Sequence, residues 1–303
     1  MVVNSPDPVL DFDLVLALAR RHLQLARAVT AVDESGGEAR TYRIDDGYIL
    51  KTQRPHRVRP RTSLEKEVAH LQLVQQYLPE LSVPRVLGYG RTEGVEYTLM
   101  TRMPGVAARH VPMEGEARGR FLYDLGALLR RLHRLPLAPF ASTGRFPTDH
   151  DASDVRRRVE TAVADGVNAA RLVGDAWNLE LPPEAVAARA LEAVGQVEDT
   201  FAPLHSNPGP EHVFVDPTTL KLSGLIDFGD AYVSHPAFDL RRWTAPEDRG
   251  MLLEGYAADE PVSDAFKSLW RAILIAGLLS RLAQRPTEQA RTLADLQSLL
   301  AEF

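Results

Sequence analysis

The signals for secondary structure in this chain are segregated along its length, and that segregation limits the folds open to it. Residues 10–25 carry helical apolar spacing, and short strands are expected at 28–32, 39–44 and 47–52. Ser35-Gly36-Gly37 and Asp45-Asp46-Gly47 supply the turns between them. A basic loop with Pro55 and Pro60 leads to a helix from about 63 to 77, with Ser63 as its N-cap. Strands at 83–91 and 95–101 follow, joined by Thr92-Glu93-Gly94. Met103-Pro104-Gly105 then breaks the chain. Beyond it the periodicity is helical at 114–134, 153–172, 183–201, 247–257, 263–284 and 288–302. One short hairpin, 213–215 with 221–226, interrupts these helices, and no internal repeat or low-complexity segment is present. A β-rich part, residues 1–103, and a larger helical part, 104–303, make a bilobal α+β protein. Ligands of such proteins favour the cleft between lobes.

The 303 residues are 45% hydrophobic, enough for one large domain or two modest lobes with a core each. A net charge of −6 argues against nucleic acid as a bulk electrostatic partner. There is no cysteine, so disulfides and thiolate metal sites are excluded. The opening MVVNSPDPVL lacks the basic and apolar segments of a signal peptide. The longest apolar run near the C-terminus, 272–280, is too short to span a membrane and is flanked by Arg271 and Arg281. A cytoplasmic protein with no membrane partner is expected, and the oligomeric state stays open. Lysine occurs only at 51, 66, 221 and 267, which makes each one more informative beside the abundant arginine.

Alternation along Tyr48-Ile49-Leu50-Lys51 puts Tyr48 and Leu50 on one face and Ile49 and Lys51 on the other. Alone, Lys51 reads either as a sheet-edge lysine or as a grip on nucleotide phosphates. Glu67 discriminates better. Leu64, Val68, Leu71, Val74 and Leu78 form an apolar stripe, and Glu67 falls inside it while Glu65 falls outside. A carboxylate in a buried stripe needs a cation, and Lys51 on the preceding strand is the candidate. Backbone N–H groups of Ser35, Gly36 and Gly37 could cover phosphates, although glycine pairs are common in hairpins. No Walker-type sequence is present.

Asp227 follows an apolar strand and precedes Phe228-Gly229. A strand-end carboxylate beside a turning glycine suits a hard cation, and is also a common turn residue. Asp230 is expected to support the turn, and Asp239 to hold backbone amides. His133, at the edge of an apolar helix face, reads as a packed, hydrogen-bonded histidine. His22, His56, His70, His110 and His150 show no metal-ligand spacing.

Residues 205–212, HSNPGPEH, match the spacing His-x-Asp-x-x-x-x-Asn of a kinase-type catalytic loop. Asn207 stands at the Asp position and His212 at the final Asn. With Ile226-Asp227-Phe228-Gly229-Asp230, the strand 48–51, Glu67, the linker at 100–103 and Leu132-His133, the chain resembles the aminoglycoside phosphotransferase family, relatives of the protein kinases. The matches run from about residue 30 to 245. The resemblance implies a kinase-like fold with ATP or GTP in the cleft. Lys51 would hold the α- and β-phosphates and pair with Glu67. The backbone of Met100, Thr101 and Met103 would meet the purine. Asp227, with His212, would bind Mg²⁺ or Mn²⁺, and His205 and Asn207 would sit at the catalytic position.

Two positions depart from the family pattern. Imidazole suits Mg²⁺ poorly because that ion wants oxygen ligands. Members similar to the aminoglycoside 2″-phosphotransferases nevertheless carry His at the position of His212. The usual Asp accepts the proton of the substrate hydroxyl; a carboxamide accepts a hydrogen bond but cannot take up a proton near neutral pH. A general base contributes roughly 10²–10⁴-fold, whereas phosphoryl transfer rests mainly on positioning and charge stabilisation. Glu211, the nearby carboxylate, has no role in the template. The expected function is therefore an ATP- or GTP-dependent phosphotransferase acting on a hydroxyl of a small molecule, impaired by Asn207. The alternative is a non-catalytic nucleotide-binding pseudokinase. Acidic Asp151, Asp154, Glu160, Asp165, Asp175 and Glu180 mingle with Arg156, Arg157, Arg158 and Arg171, a mixed field that does not select aminoglycosides over a metabolite or a choline-like alcohol.

Overall fold

A computed structural model describes residues 7–302 except 58, 61, 93 and 196. The first six residues of the chain's opening segment, and Glu93 of the expected turn, lie outside the described residues. Helix α1 (Phe12–Arg20) starts where the Asp11 carboxylate accepts from the N–H of Asp13 at 2.8 Å and of Leu14 at 3.4 Å. It is shorter than the apolar spacing of 10–25 predicts. The cap fixes its start, and past Arg20 the chain turns so that His22 meets the Tyr97 hydroxyl at 3.3 Å.

Strands β1 (Val29–Asp33), β2 (Ala39–Ile44) and β3 (Tyr48–Gln53) are followed by helix α2 (Leu64–Tyr77), β4 (Val86–Thr92) and β5 (Val95–Thr101). The strands form one antiparallel sheet in the order β1-β2-β3-β5-β4. β4 starts later than predicted because Val83 turns into the core and Pro84 has no N–H for a ladder. The sheet separates two clusters. Leu50 packs with Val15, Leu18, Tyr42, Tyr97 and Leu99 on the α1 side, while Ile49 faces the larger core that contains Leu71 and Val74 of α2. The two-residue alternation of β3 thus turns Lys51 toward α2.

After Gly105, which adopts φ 83°, come β6 (Val106–Ala107), α3 (Gly115–His133), α4 (Leu137–Thr143), α5 (Ala152–Arg171) and α6 (Pro183–Ala193). Short strands β7 (Ala202–Leu204), β8 (Val213–Val215), β9 (Leu222–Leu225) and β10 (Tyr232–Ser234) precede α7 (Pro246–Ala257), α8 (Asp264–Gln284) and α9 (Gln289–Leu300). The sheets here are small: β6-β8-β9, and β7 paired with β10. α6 ends well before the predicted 201, and Gly195 lies just beyond it in the left-handed region at φ 50°. The β7–β10 pair and α4 were not expected, since elements this short show no periodicity. Among the described residues no helix is long and apolar enough to cross a membrane.

α3 packs along α7, and α5 along α8. The first contact depends on glycine: a Cβ at Gly255 would overlap the backbone carbonyl of Tyr123, and one at Gly126 the carbonyl of Leu252. Gly255→Ala should therefore destabilise the protein by about 1–3 kcal/mol through overpacking. Gly250→Ala, on the exposed face of the same helix with open space around it, should stabilise by about 0.5–1 kcal/mol. Urea unfolding of both variants checks the pair; equal effects would remove the close-approach explanation.

Candidate active site

Three elements converge on Lys51. β3 presents its ammonium, α2 presents Glu67 and the turn after β9 presents Asp227. Nζ donates to Glu67 Oε2 at 2.8 Å and to Asp227 Oδ1 at 2.7 Å. Glu67 is 1% exposed and Lys51 13%, whereas Asp227 keeps 39% of its side chain open. Burial and the Asp227 charge push the Glu67 carboxyl up against the opposing pull of Lys51. Burial would also raise Asp227, but the charges of Lys51 and His212 outweigh it and hold its carboxyl well below the usual carboxylate range. α2 is anchored to the same turn: Ser63 caps it by accepting from Lys66 N–H at 3.3 Å, and Ser63 N–H donates to Gly229 O at 3.4 Å.

The loop 205–212 is held from below. Asp239, fully buried, accepts from the backbone N–H of His205 at 2.8 Å and of Ser206 at 2.7 Å. His133 Nε2 bonds the same carboxylate at 3.0 Å, and its Nδ1 meets the Tyr256 hydroxyl at 3.0 Å. Burial opposes ionisation of Asp239, but the hydrogen bond from His133 outweighs it and holds the carboxyl low. Ser206 adopts φ 84° and Asp227 φ 71°, strained values for residues with a side chain. The Ser206 carbonyl accepts from Arg241 at 2.9 Å, and that of Pro208 from Trp243 at 2.9 Å.

His205 is 0% exposed. Its Nε2 donates to Ile226 O at 2.8 Å, its Nδ1 accepts from Asn207 N–H at 3.1 Å, and its ring centroid lies 4.6 Å from that of Phe228. Both nitrogens are engaged internally, so the geometry makes it a positioning residue rather than one that meets a substrate. Asn207, half-buried, is fixed through its backbone, because its carbonyl also accepts from His212 Nδ1 at 2.9 Å. His212 then directs Nε2 at Asp227 Oδ2, 3.2 Å away. Among the described residues no group of three or more His, Asp or Glu side chains is arranged to hold a metal alone. The partly exposed Asp227 carboxylate beside His212 fits a hard divalent cation.

The remaining sequence candidates frame this centre. Ser35, Gly36 and Gly37 lie in the β1–β2 loop, where Ser35 N–H donates to Asp33 at 2.8 Å and Gly36 O accepts from Arg54 at 3.1 Å. The next residue, Glu38, pairs with Arg59, which also reaches Asp230 at 2.8 Å. Thr62 donates to Asp230 as well. Met100 and Met103 are buried, and the Met103 methyl fills the place a Cβ on Gly224 would take. Thr101 exchanges bonds with Arg85, N–H to carbonyl at 2.9 Å and hydroxyl from N–H at 2.8 Å. Sequence reasoning did not single out Arg59, Thr62 or Arg241. The one hint was the basic character of the loop holding Arg59.

A polar strand residue, a helical carboxylate and a strand-end carboxylate facing a buttressed loop define a kinase-like phosphotransferase architecture. The sequence matches the profile of the phosphotransferase enzyme family (APH) over residues 29–273, more than half of its length, and the chain belongs to that family. It is 24% identical over 249 residues to an aminoglycoside 3′-phosphotransferase of Streptomyces fradiae, spanning 75% of this chain and 87% of that protein. The fold matches the GDP complex of wild-type aminoglycoside 2′-phosphotransferase-IIIa with a TM-score of 0.62 at 15% identity, over 95% of this chain and 98% of the other. It also matches the apoenzyme of a macrolide 2′-phosphotransferase from Brachybacterium faecium, with a TM-score of 0.62 at 20% identity over 95% and 98% of the two chains. The bilobal kinase-like α+β fold expected from the sequence is the fold of this chain.

Lys51 is the sole countercharge seen at Glu67 among the described residues. Lys51→Met should cost about 3–5 kcal/mol, because a buried carboxylate loses its partner. Adding Glu67→Gln should recover part of that loss in urea unfolding; simple additivity would contradict direct coupling. A second outcome concerns His70 on α2. It is enclosed by Phe140, Phe146 and Phe228, neither ring nitrogen has a hydrogen-bond partner among the described residues, and burial pushes it down to about 3 from 6.5. The folded state binds fewer protons than the unfolded state between these values, so stability falls as pH falls below 6.5. From pH 7.5 to 5 this one group should remove about 2 kcal/mol. His70→Leu should lose less stability over that interval by the same amount, and parallel pH profiles of the two proteins would refute the assignment.

Proposed function

We propose that this protein is an ATP- or GTP-dependent phosphotransferase acting on a hydroxyl group of a small molecule. The observation that carries the reading is Lys51, bonded to Glu67 at 2.8 Å and to Asp227 at 2.7 Å. On this reading residues 1–103 form a nucleotide-binding lobe, and 104–303 carry the loop and the acceptor region. Lys51 binds the α- and β-phosphates, with Ser35, Gly36 and Gly37 over them and the backbone of Met100, Thr101 and Met103 at the purine. Solved relatives in complex with GDP, ADP and ATP support a nucleotide ligand. Asp227, beside His212, would hold Mg²⁺ or Mn²⁺, which when bound neutralises phosphate charge. Asn207 orients the acceptor hydroxyl through its amide oxygen. The hydroxyl oxygen bonds to the γ-phosphorus as the bond to the nucleoside diphosphate breaks, and the hydroxyl proton passes to solvent, since the carboxamide cannot keep it. The relatives' names support an acceptor of aminoglycoside or macrolide size.

Isothermal titration should show ATP or GTP binding that requires Mg²⁺ or Mn²⁺ and is lost in Asp227→Asn. Binding of neither nucleotide would end this reading. Asn207 favours a second reading, a nucleotide-binding pseudokinase. Restoring the base in Asn207→Asp should raise acceptor-dependent turnover by about 10²–10⁴-fold. Turnover seen only in that variant would establish the pseudokinase, and equal turnover in both proteins would discard it.

A further inference from the structure

Beside Ser206 and Asp230 lies a cavity of about 590 Å³, closed on its far side by α5 and α8. Resting on the phosphotransferase reading, we propose that this cavity takes the acceptor, and that the acceptor is an apolar hydroxy acid bearing one oxyanionic group, held by Arg241, rather than a polycation.

The lining contains three guanidinium groups, of Arg59, Arg158 and Arg241, against one carboxylate, Asp230. Two of the three are already neutralised. Arg59 lies between Glu38 and Asp230. Arg158 forks onto the buried Asp149, Nε to Oδ2 at 2.8 Å and Nη2 to Oδ1 at 2.5 Å, and stacks over the Tyr232 ring at 4.8 Å. Arg241 differs. Its hydrogen-bond partner is neutral, the Ser206 carbonyl at 2.9 Å. Among the described residues no carboxylate lies within ion-pair distance of it. A guanidinium offers five N–H donors in a fork that matches a carboxylate, so charge and donors remain for a ligand.

Asn207 follows Ser206 directly. Its amide brings no negative charge to the segment whose Ser206 carbonyl Arg241 holds. Much of the remaining wall is apolar, with Val159 and Ala162 of α5 and Ile273 and Ala276 of α8, beside the polar Thr62 and Ser280. A polycation needs several free carboxylates, yet the one in the lining is held by Arg59 and Thr62. Apolar walls with a single unpaired guanidinium instead fit a hydrocarbon or aromatic body with one anionic group.

The test is direct binding by isothermal titration and thermal shift, without nucleotide. The probes are a size series of hydroxy acids (mandelate, 12-hydroxydodecanoate, cholate), their methyl esters, and the polycations kanamycin and gentamicin. At least one acid should bind about tenfold or more tighter than its ester, as expected for a charge-assisted hydrogen bond. That preference should vanish in Arg241→Gln and persist in Arg241→Lys. The proposal is overturned if no acid binds, if esters match their acids, if the polycations bind best, or if Arg241→Gln keeps the preference. The wild-type comparison stands even where the Gln variant fails to fold. Metal–nucleotide titration of the same samples separates the two readings. Acid preference without nucleotide binding sinks the phosphotransferase reading alone, and nucleotide binding without acid preference sinks the acceptor assignment alone.

Discussion

One ammonium group between two carboxylates ties the structure together. Lys51 is 16 residues from Glu67 and 176 from Asp227, so its two bonds join the sheet, α2 and the turn after β9 at one point. Such a triad is a poor route to stability. The desolvation of three charges opposes their attraction, and apolar residues of similar volume often do as well. The arrangement also carries one more negative charge than positive. What it supplies is a fixed direction for one lysine and for one partly exposed aspartate. Its neighbours hold that direction: Ser63 on Gly229, Phe228 against His70, and Met103 against Gly224.

The loop beside the triad is set by a second buried carboxylate. Asp239 binds two consecutive backbone amides, and His133 and Tyr256 orient it in turn. Positive φ at Ser206 and Asp227 costs about 1–3 kcal/mol at each residue, and the bonds of Asp239, Arg241 and Lys51 hold those conformations. Asn207 sits in a backbone fixed by His205 on one side and His212 on the other. Carboxylate and carboxamide have nearly the same shape. An amide at this place therefore alters proton chemistry and charge while leaving the loop's form to its neighbours.

Much of this was legible because it depends on local periods. The two-residue alternation of β3 turned Lys51 toward α2, and the helical stripe of α2 turned Glu67 toward Lys51. His133 at the edge of an apolar face, and Asp239 as a holder of amides, were also readable. What escaped arises from long-range packing. His205 matched a motif position and was expected at the chemistry, yet one of its nitrogens holds the Asn207 amide and the other the Ile226 carbonyl. His70 and Lys66 are buried polar residues on α2 that the stripe did not include. Arg241 gave no local signal and Arg158 showed only within a mixed charge run, since an arginine's partners depend on which helices flank it. β7 and β10 were too short for alternation and became visible only as a pair.

The charge distribution on the two sides of Asn207 is asymmetric. Toward Lys51, two carboxylates face one ammonium, a surplus that suits a divalent cation and the phosphates it brings. Toward α5 and α8, Arg241 has no carboxylate within ion-pair distance among the described residues. Asn207 itself adds no charge to either side. A neutral residue therefore does more than remove a base. On the phosphotransferase reading it exchanges proton uptake for tolerance of an anion beside the acceptor hydroxyl, so the loss at Asn207 and the unpaired charge at Arg241 belong to a single electrostatic arrangement.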